Sequence, residues 1–411
     1  MVELGLLMAA AIAPPTALPL KIGGAASRIE WSQLVTSDQD DWLNDLTLLR
    51  NGHVLGVGFV NRLDSNPAAD WQAVQVEVDL GGTKIAEHRY GAGGGTDAFW
   101  AMRETGDGNR IFAGLTDRIG PSGINAYVLV ARPDGSIINE NGIGHPSYDR
   151  VTDVVPAGDG FLFAGHSQKT EARTSRQTYL LKTDARGMPL WERIYGGPEM
   201  WSALYLQPAG DGGFVIAGGT DSGGDGDMFV LKVDAEGREL WRKRVGTPDW
   251  DEINHGILVR PDGTIVLVGY TSPHGSEQHD LVAATLSKNG DLIRLERFGG
   301  PKDERARLAK FDDQGMIWLT GLTESAGQGS ADLLLVSLDT SGVFTGVAMT
   351  LGGADEDVGT AALPIGKDSI LLAGYSRTLG HGGQDAFIAR IARPAGKANP
   401  AFTRKVVVAP K

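Results

Sequence analysis

Glu252 and His255 stand three residues apart in the segment Trp250-Asp251-Glu252-Ile253-Asn254-His255, and a carboxyl and an imidazole are side chains widely used for general acid–base work. Tyr205 adds a phenol able to give or take a proton, and Arg150, Arg305 and Arg307 together could grip a carboxylate or sulfate through paired N–H donors. Asn44, Asp153, His166, Tyr270 and Tyr375 extend this polar set. Trp42, Trp100, Trp201 and Trp250 fall in comparable places along the chain, and flat indoles are stacking platforms for an amphipathic ligand. Tryptophan beside Arg, His, Tyr and Glu suits a sugar, above all an acidic one. Glycoside hydrolysis would use Glu252 as acid or base, with a second carboxylate about 5.5 or 6.5–9.5 Å away according to stereochemistry. Elimination from a uronate-containing polysaccharide would have His255 or Tyr205 take the proton alpha to the carboxylate while an arginine steadies the charge. The competing reading for each tryptophan is a wedge between packed sheets, and for each polar residue a mutually paired channel lining.

These residues draw notice because they break a repeat. Aligning the chain on a strand that ends in glycine gives Gly58, Gly114, Gly165, Gly218, Gly269, Gly321 and Gly374, spaced 56, 51, 53, 51, 52 and 53 residues apart. A strand-built period of this length predicts propeller blades of four strands. In one unit, residues 201–208 read as strand A and 214–218 as strand B. Residues 228–233 read as strand C and 239–245 as strand D, with polar and apolar residues alternating. There are seven A, B and C segments but eight D-like ones, the extra pair lying at residues 28–35 and 403–409. The expected fold is therefore all-β, a seven-bladed β-propeller of four-stranded antiparallel blades closed by pairing of N- and C-terminal strands, which removes exposed edges. The B–C loops at 61–70, 167–178 and 272–280 are long and unlike one another, so function is expected on their rim.

Counting from the glycine that ends strand D, an acid recurs at Asp149, Asp251, Glu304 and Asp357, with Asp97 displaced by one residue and Asp41 following Thr36. A residue present in nearly every unit serves every unit, and these acids are expected to accept backbone N–H groups in the D–A crossings. Trp201 replaces that acid, Trp42 and Trp250 flank it, and Trp100 follows Asp97 by three residues. Trp31, Trp191 and Trp241 recur in strand D and Trp318 lies in a B strand, so these read as core.

The chain resembles bacterial propeller repeats of the form W-x-x-x-Y-G-G, then D-G-G-[YF]-[IV]-x-A-G-x-T, then a strand C ending in K-[LV]-D-x-x-G. Trp191-Glu192-Arg193-Ile194-Tyr195-Gly196-Gly197, Asp211-Gly212-Gly213-Phe214-Val215-Ile216-Ala217-Gly218-Gly219-Thr220 and Leu231-Lys232-Val233-Asp234-Ala235-Glu236-Gly237 carry the pattern nearly complete. The resemblance spans residues 28–411 and implies a fold, not an activity.

Composition narrows the rest. A formal net charge of −13 argues against nucleic acid as a partner. The absence of cysteine removes disulfides, thiolate metal sites and a cysteine nucleophile. The 58 glycines with 41% hydrophobic residues fit many short strands joined by tight turns. No cofactor signature is present: Gly91-Ala92-Gly93-Gly94-Gly95 precedes no helix pattern, and the remaining histidines lack metal-protease spacing. Calcium is weighed at residues 221–227, whose three aspartates lie in a Gly-rich loop without the EF-hand pattern. Residues 1–20 read as a secretory signal or an apolar tail, with Glu3 where a signal carries a basic residue, and residues 21–411 as a single propeller. A signal would place the protein in the periplasm or outside the cell, and a mere tail would leave it cytoplasmic. No later segment approaches the roughly 20 apolar residues of a membrane span. The function expected is a glycan-recognising propeller, acting on an oligosaccharide or polysaccharide as a glycoside hydrolase or polysaccharide lyase at an aromatic-lined central mouth. The alternative is a non-catalytic binding or scaffold propeller whose loop-rich rim takes a protein or surface polymer.

Overall fold

The structure is a computed structural model that describes residues 20–24, 27–35, 40–61, 71–91, 94–168, 176–197, 199–221, 226–247, 250–379, 383–396 and 398–407, without the side chains of 250–253. The described residues form strands and turns and no helix. In chain order β1 (Lys21–Gly24) and β2 (Ile29–Leu34) precede a meander of β3 (Asp41–Leu48), β4 (Val54–Asn61), β5 (Trp71–Val78) and β6 (Lys84–Tyr90). The next meanders are β7 (Asp97–Glu104), β8 (Arg110–Thr116), β9 (Gly123–Ala131) and β10 (Ile137–Ile143), then β11 (Ser147–Ala157), β12 (Gly160–Gln168), β13 (Arg176–Asp184) and β14 (Pro189–Tyr195). They are followed by β15 (Met200–Pro208), β16 (Phe214–Asp221), β17 (Gly226–Val233) and β18 (Glu239–Val245), and by β19 (Trp250–Val259), β20 (Ile265–Pro273), β21 (Asp280–Leu286) and β22 (Leu292–Gly299). The chain ends with β23 (Glu304–Phe311), β24 (Ile317–Thr323), β25 (Asp332–Leu338) and β26 (Phe344–Gly352), then β27 (Asp357–Ile365), β28 (Ser369–Ser376), β29 (Asp385–Ala392) and β30 (Thr403–Val407).

Within each meander successive strands pair antiparallel, and a short parallel contact of Ser147 and Tyr148 with Gly123 and Ile124 joins β11 to β9. The D-like segments at the two ends have different fates. β2 pairs with β29, so that sheet is assembled from both ends of the chain, while β30 adds to β22 as a fifth strand and β1 adds to β26. All three cover strand edges that would otherwise present unpaired N–H and C=O groups.

The sheets pack face to face, and each apolar cluster draws on neighbouring sheets. Trp31, Leu43, Val54, Val74, Leu371 and Ile388 belong to one cluster, and Leu55, Val57, Phe99, Phe112 and Tyr127 to another. The strand D tryptophans lock neighbours together as expected of core residues. Trp31 lies against Gly82, Trp191 against Gly237 and Trp241 against Gly290, where an added Cβ would come within 2.6 Å of each indole. Those glycines also sit at φ +90°, +77° and +82°, a region that disfavours any other residue. Trp31 and Trp318 are buried, while Trp191 and Trp241 are half-buried and pack against the edge of the core.

The recurring acids do what the repeat demands. Asp149 accepts the His145 N–H at 2.6 Å, Glu304 that of Gly300 at 2.7 Å and Asp357 that of Gly353 at 2.7 Å, while Asp97 accepts the Arg118 Nε–H at 2.8 Å. Each of these acids is buried, which raises its pKa.

Candidate functional site

The first strand of every meander carries a one-residue β-bulge, at Asn44, Trp100, Thr152, Leu204, His255 and Arg307, and β27 carries one at Thr360. A bulge sets two residues opposite one and re-aims a side chain. It also explains the glycine on which the repeats align. At Gly58, Gly114, Gly165, Gly218, Gly321 and Gly374 an added Cβ would collide with the backbone carbonyl of Trp42, Ala98, Arg150, Ser202, Arg305 and Val358 respectively.

The bulged residues of β3, β7, β11, β15, β19, β23 and β27 all line one cavity of about 510 Å³. Some are absorbed in stitching these strands together. Thr360 Oγ1 donates to the Leu43 carbonyl, Asn44 Nδ2 to that of Phe99 at 2.8 Å, and Thr152 Oγ1 to that of Leu204 at 2.7 Å. His255 makes the corresponding link, its ring hydrogen-bonding the Arg307 backbone. The side chains of Trp100 and Arg307 make no such stitch.

At one level of the cavity the charges are matched. Arg103 reaches Asp153 at 3.2 Å and Asp45 at 3.7 Å, and Lys310 donates to Asp45 at 2.6 Å. Asp153 also accepts the backbone N–H groups of Leu206 at 2.9 Å and Val154 at 2.8 Å. Its carboxyl is buried and its pKa is raised, with Arg103 opposing the shift. Asp153 therefore belongs to a closed network.

Two other cations of the cavity are not matched among the described residues. Arg150 lays its guanidinium 5.4 Å over the Trp100 ring centroid, and its Nε is buried without a hydrogen-bond partner among the described residues. Arg307 lines the same cavity, and no described carboxylate lies within ion-pairing distance of it. Tyr205 donates its O–H to the Arg307 carbonyl at 3.3 Å. Burial pushes the Tyr205 phenol up, and burial followed by the Arg307 charge holds the His255 imidazole down to about 3. His255 stacks on Tyr270 with centroids 5.1 Å apart. Neutral His255, Tyr205 and two guanidinium groups without a carboxylate partner among the described residues thus share one enclosure.

Of the residues singled out in sequence, Trp100, Arg150, Asp153, Tyr205, His255, Arg307 and Asn44 line the cavity. Trp42, Trp201, Arg305, His166 and Tyr270 are not among its lining. Trp42 stacks on Tyr375 at 4.6 Å and donates to Gln384. Trp201 is wedged edge-on against Phe229 at 5.1 Å, with Arg242 over its ring. Arg305 donates to Asp303 at 2.7 Å, and that carboxylate also holds His279. His166 is buried, stacked on Tyr148 and 3.0 Å from Ser202 Oγ, and burial followed by Arg150 and Arg176 holds its pKa far down. Tyr270 stands behind His255.

Trp250 and Glu252 lie on β19, but their side chains fall outside the described residues. The strand register still speaks to Glu252. It pairs with Thr271 as Asp97 pairs with Thr116, Asp149 with Ser167, Glu304 with Thr323 and Asp357 with Ser376. Glu252, and not Asp251, therefore holds the recurring acidic position, because the crossing before β19 is one residue longer, as it is before Asp97. Much of the loop weighed for calcium, residues 222–225, also lies outside the described residues, and among those described no three His, Asp or Glu side chains group as metal ligands. Sequence reading passed over Asp45, Arg103 and Lys310, whose signal was a charge on an inner strand: counted from the bulges, Arg103 and Lys310 stand where other repeats carry Leu258 or Leu363, and Asp45 where others carry Ala101 or Leu308. It also passed over Trp71, which stacks on Phe59 at 4.4 Å.

No protein-family model and no curated protein matches the sequence. Among solved structures, the polysaccharide lyase Uly1 superposes over 89% of this chain and 99% of its own, with 12% identity and a TM-score of 0.53. Sqt1 from Chaetomium thermophilum covers 86% of this chain and 95% of its own at 10% identity and a TM-score of 0.49. An α-L-arabinanase from Penicillium chrysogenum, complexed with arabinobiose, covers 91% and 98% at 12% identity and a TM-score of 0.45. At such identities the likeness speaks to fold alone: the chain is an all-β propeller.

Proposed function

We propose that this chain is a seven-bladed propeller that recognises an acidic glycan at the unmatched end of its central cavity and cleaves it by elimination. The pairing of β2 with β29, and Trp31 seated against Gly82, support a ring closed between the two ends of the chain. The observation that carries the functional reading is the contrast between paired Arg103 and Lys310 and unpaired Arg150 and Arg307 within one cavity. Two guanidinium groups left without carboxylates suit a carboxylate supplied by the ligand.

In that reading Arg307 and Arg150 hold the uronate carboxylate and Trp100 faces the sugar ring. His255 takes the proton alpha to the carboxylate, and the freed electron pair forms a carbon–carbon double bond as the glycosidic C–O bond breaks. Tyr205 O–H supplies a proton to the departing oxygen. The register of Glu252 removes the ground for treating it as an exception, so hydrolysis through Glu252 has less behind it. A panel of neutral and acidic polysaccharides, assayed for binding and for new reducing or unsaturated ends, tests the proposal. Unsaturated ends from a uronate polymer are the expected result, and absence of binding to every acidic member would refute it.

A second reading, a non-catalytic platform for a protein or surface polymer, finds support in an aromatic row outside the cavity. Tyr375, Trp42, Phe59 and Trp71 follow one another at centroid distances of 4.6, 5.6 and 4.4 Å. Binding to a polymer without products would favour it.

A further inference from the structure

We propose that the unmatched end of the cavity is an anion seat that takes up a proton on His255 as a carboxylate or sulfate ester settles between Arg150 and Arg307. The inference rests on the glycan reading above for the source of the anion, but its chemistry can be tested with simple ions.

The charges around His255 decide its protonation. From β15 it meets Tyr205, from β20 the ring of Tyr270, and from β23 Arg307. Across the cavity stand Arg150 and Asp153 of β11, Arg103 of β7, Asp45 of β3 and Lys310 of β23. Behind Tyr270 lie His279, Asp303 and Arg305, tied to one another. Glu252, on the same strand, has a side chain outside the described residues. Asp45 and Asp153 are neutralised by Arg103 and Lys310, and Asp303 by Arg305. Among the described residues the uncompensated charges left are Arg307 and Arg150, both positive, and the Arg307 charge opposes a proton on the imidazole.

An anion bound between the two arginines cancels that opposition. One ring nitrogen already bonds the Arg307 backbone, so the other is the place for the incoming proton. Because binding free energies are reciprocal, a proton that arrives with the anion must in turn tighten the anion's binding. The seat therefore holds its ligand more strongly in mild acid, and a bound carboxylate makes His255 a better base than it is in the empty cavity.

The test titrates the full chain with sodium sulfate and, separately, sodium galacturonate at pH 4 and pH 8, following tryptophan fluorescence. Calorimetry in two buffers of different ionisation heat counts the protons taken up. The expected result is about tenfold tighter binding at pH 4, within the usual range of linked sites, with net proton uptake; the tighter of the two ions identifies the anion's source. His255→Asn, or His255→Gln should the first variant fold poorly, should lose the pH dependence and the proton uptake. Arg307→Gln should lose binding. Equal affinity at both pH values, no binding of either ion, or pH dependence that survives in the His255 variants would overturn the inference. Anion binding with proton uptake, but no glycan bound in the panel, would sink the glycan reading and leave this one standing. Cleavage of an acidic glycan to unsaturated ends without binding of either simple ion would do the reverse.

Discussion

Arg150 rests its guanidinium 5.4 Å over the ring of Trp100, joining two neighbouring inner strands at the edge of the cavity. The contact gives Trp100 a role that Trp42 and Trp201 do not share, because both are spent on contacts outside the cavity. Trp100→Ala should weaken glycan affinity about tenfold, the scale of an interfacial aromatic anchor. Trp201→Ala should leave affinity within twofold and lower stability by about 2–3 kcal/mol through lost packing. Calorimetric titration together with urea denaturation of both variants checks the pair of outcomes.

The matched end of the cavity should behave as a structural unit. Asp45→Asn strands Lys310 and half of Arg103, and should cost about 2 kcal/mol, less than a fully buried pair because both cations are partly exposed. Lys310→Met added to Asp45→Asn should recover part of that loss. A double-mutant cycle by urea denaturation measures the coupling, and strict additivity of the two changes would show that the contact at 2.6 Å is energetically idle.

Asp332 gives a pH signature of defined sign. Burial pushes its carboxyl up to about 7, with Asp357 adding to the shift, although the Gln328 N–H donates to it at 2.6 Å. The folded state then binds this proton more tightly than the unfolded state. Its contribution is fully present below pH 3.8 and is lost as pH rises toward 7. Asp332→Asn should therefore be more stable than the parent at pH 8 and show no gain at pH 3.5, by thermal melts across that range.

His166 and His255 act in the opposite direction. Both are held neutral, so the unfolded chain binds the proton better, and stability is full above pH 6.5 and falls as pH drops toward the folded values. The slope approaches about 1.4 kcal/mol per pH unit for each group. His166→Asn should flatten the acid limb of the stability curve without altering ligand affinity at pH 8, since His166 does not line the cavity.

The end strands offer a test of the ring. Deleting residues 28–36 removes β2 from β29 and Trp31 from its seat on Gly82, and should abolish cooperative folding. Deleting residues 402–411 removes β30 and the stacking of Phe402 on Phe298 at 5.4 Å. That should lower the melting temperature by only a few degrees, because β19 to β22 remain paired with one another. Unchanged melting of the first deletion would argue against closure through β2.

The strands were legible in the sequence because their alternation and turn glycines report local geometry. The repeat glycines proved to be the partners of the bulges, a close approach that only a residue without Cβ allows. The site was less legible, since the direction of a side chain on an inner strand depends on the bulge and on the crossing before it. Trp42 and Trp100 look alike in sequence, yet only Trp100 stands at a bulge and faces the cavity. The added residue before β19 likewise put Glu252, rather than Asp251, in line with Asp357. Asp45, Arg103 and Lys310 belong to three different repeats, and nothing local to any of them announces that they meet.

The most direct measurement is calorimetric titration of a uronate oligosaccharide and its neutral counterpart into the parent protein and into the Arg150→Gln, Arg307→Gln double variant. The account predicts that the acidic chain binds the parent at least tenfold more tightly than the neutral one and that this preference vanishes in the double variant. Equal binding of both chains to the parent, or an acidic preference that survives loss of both arginines in a folded protein, would contradict it.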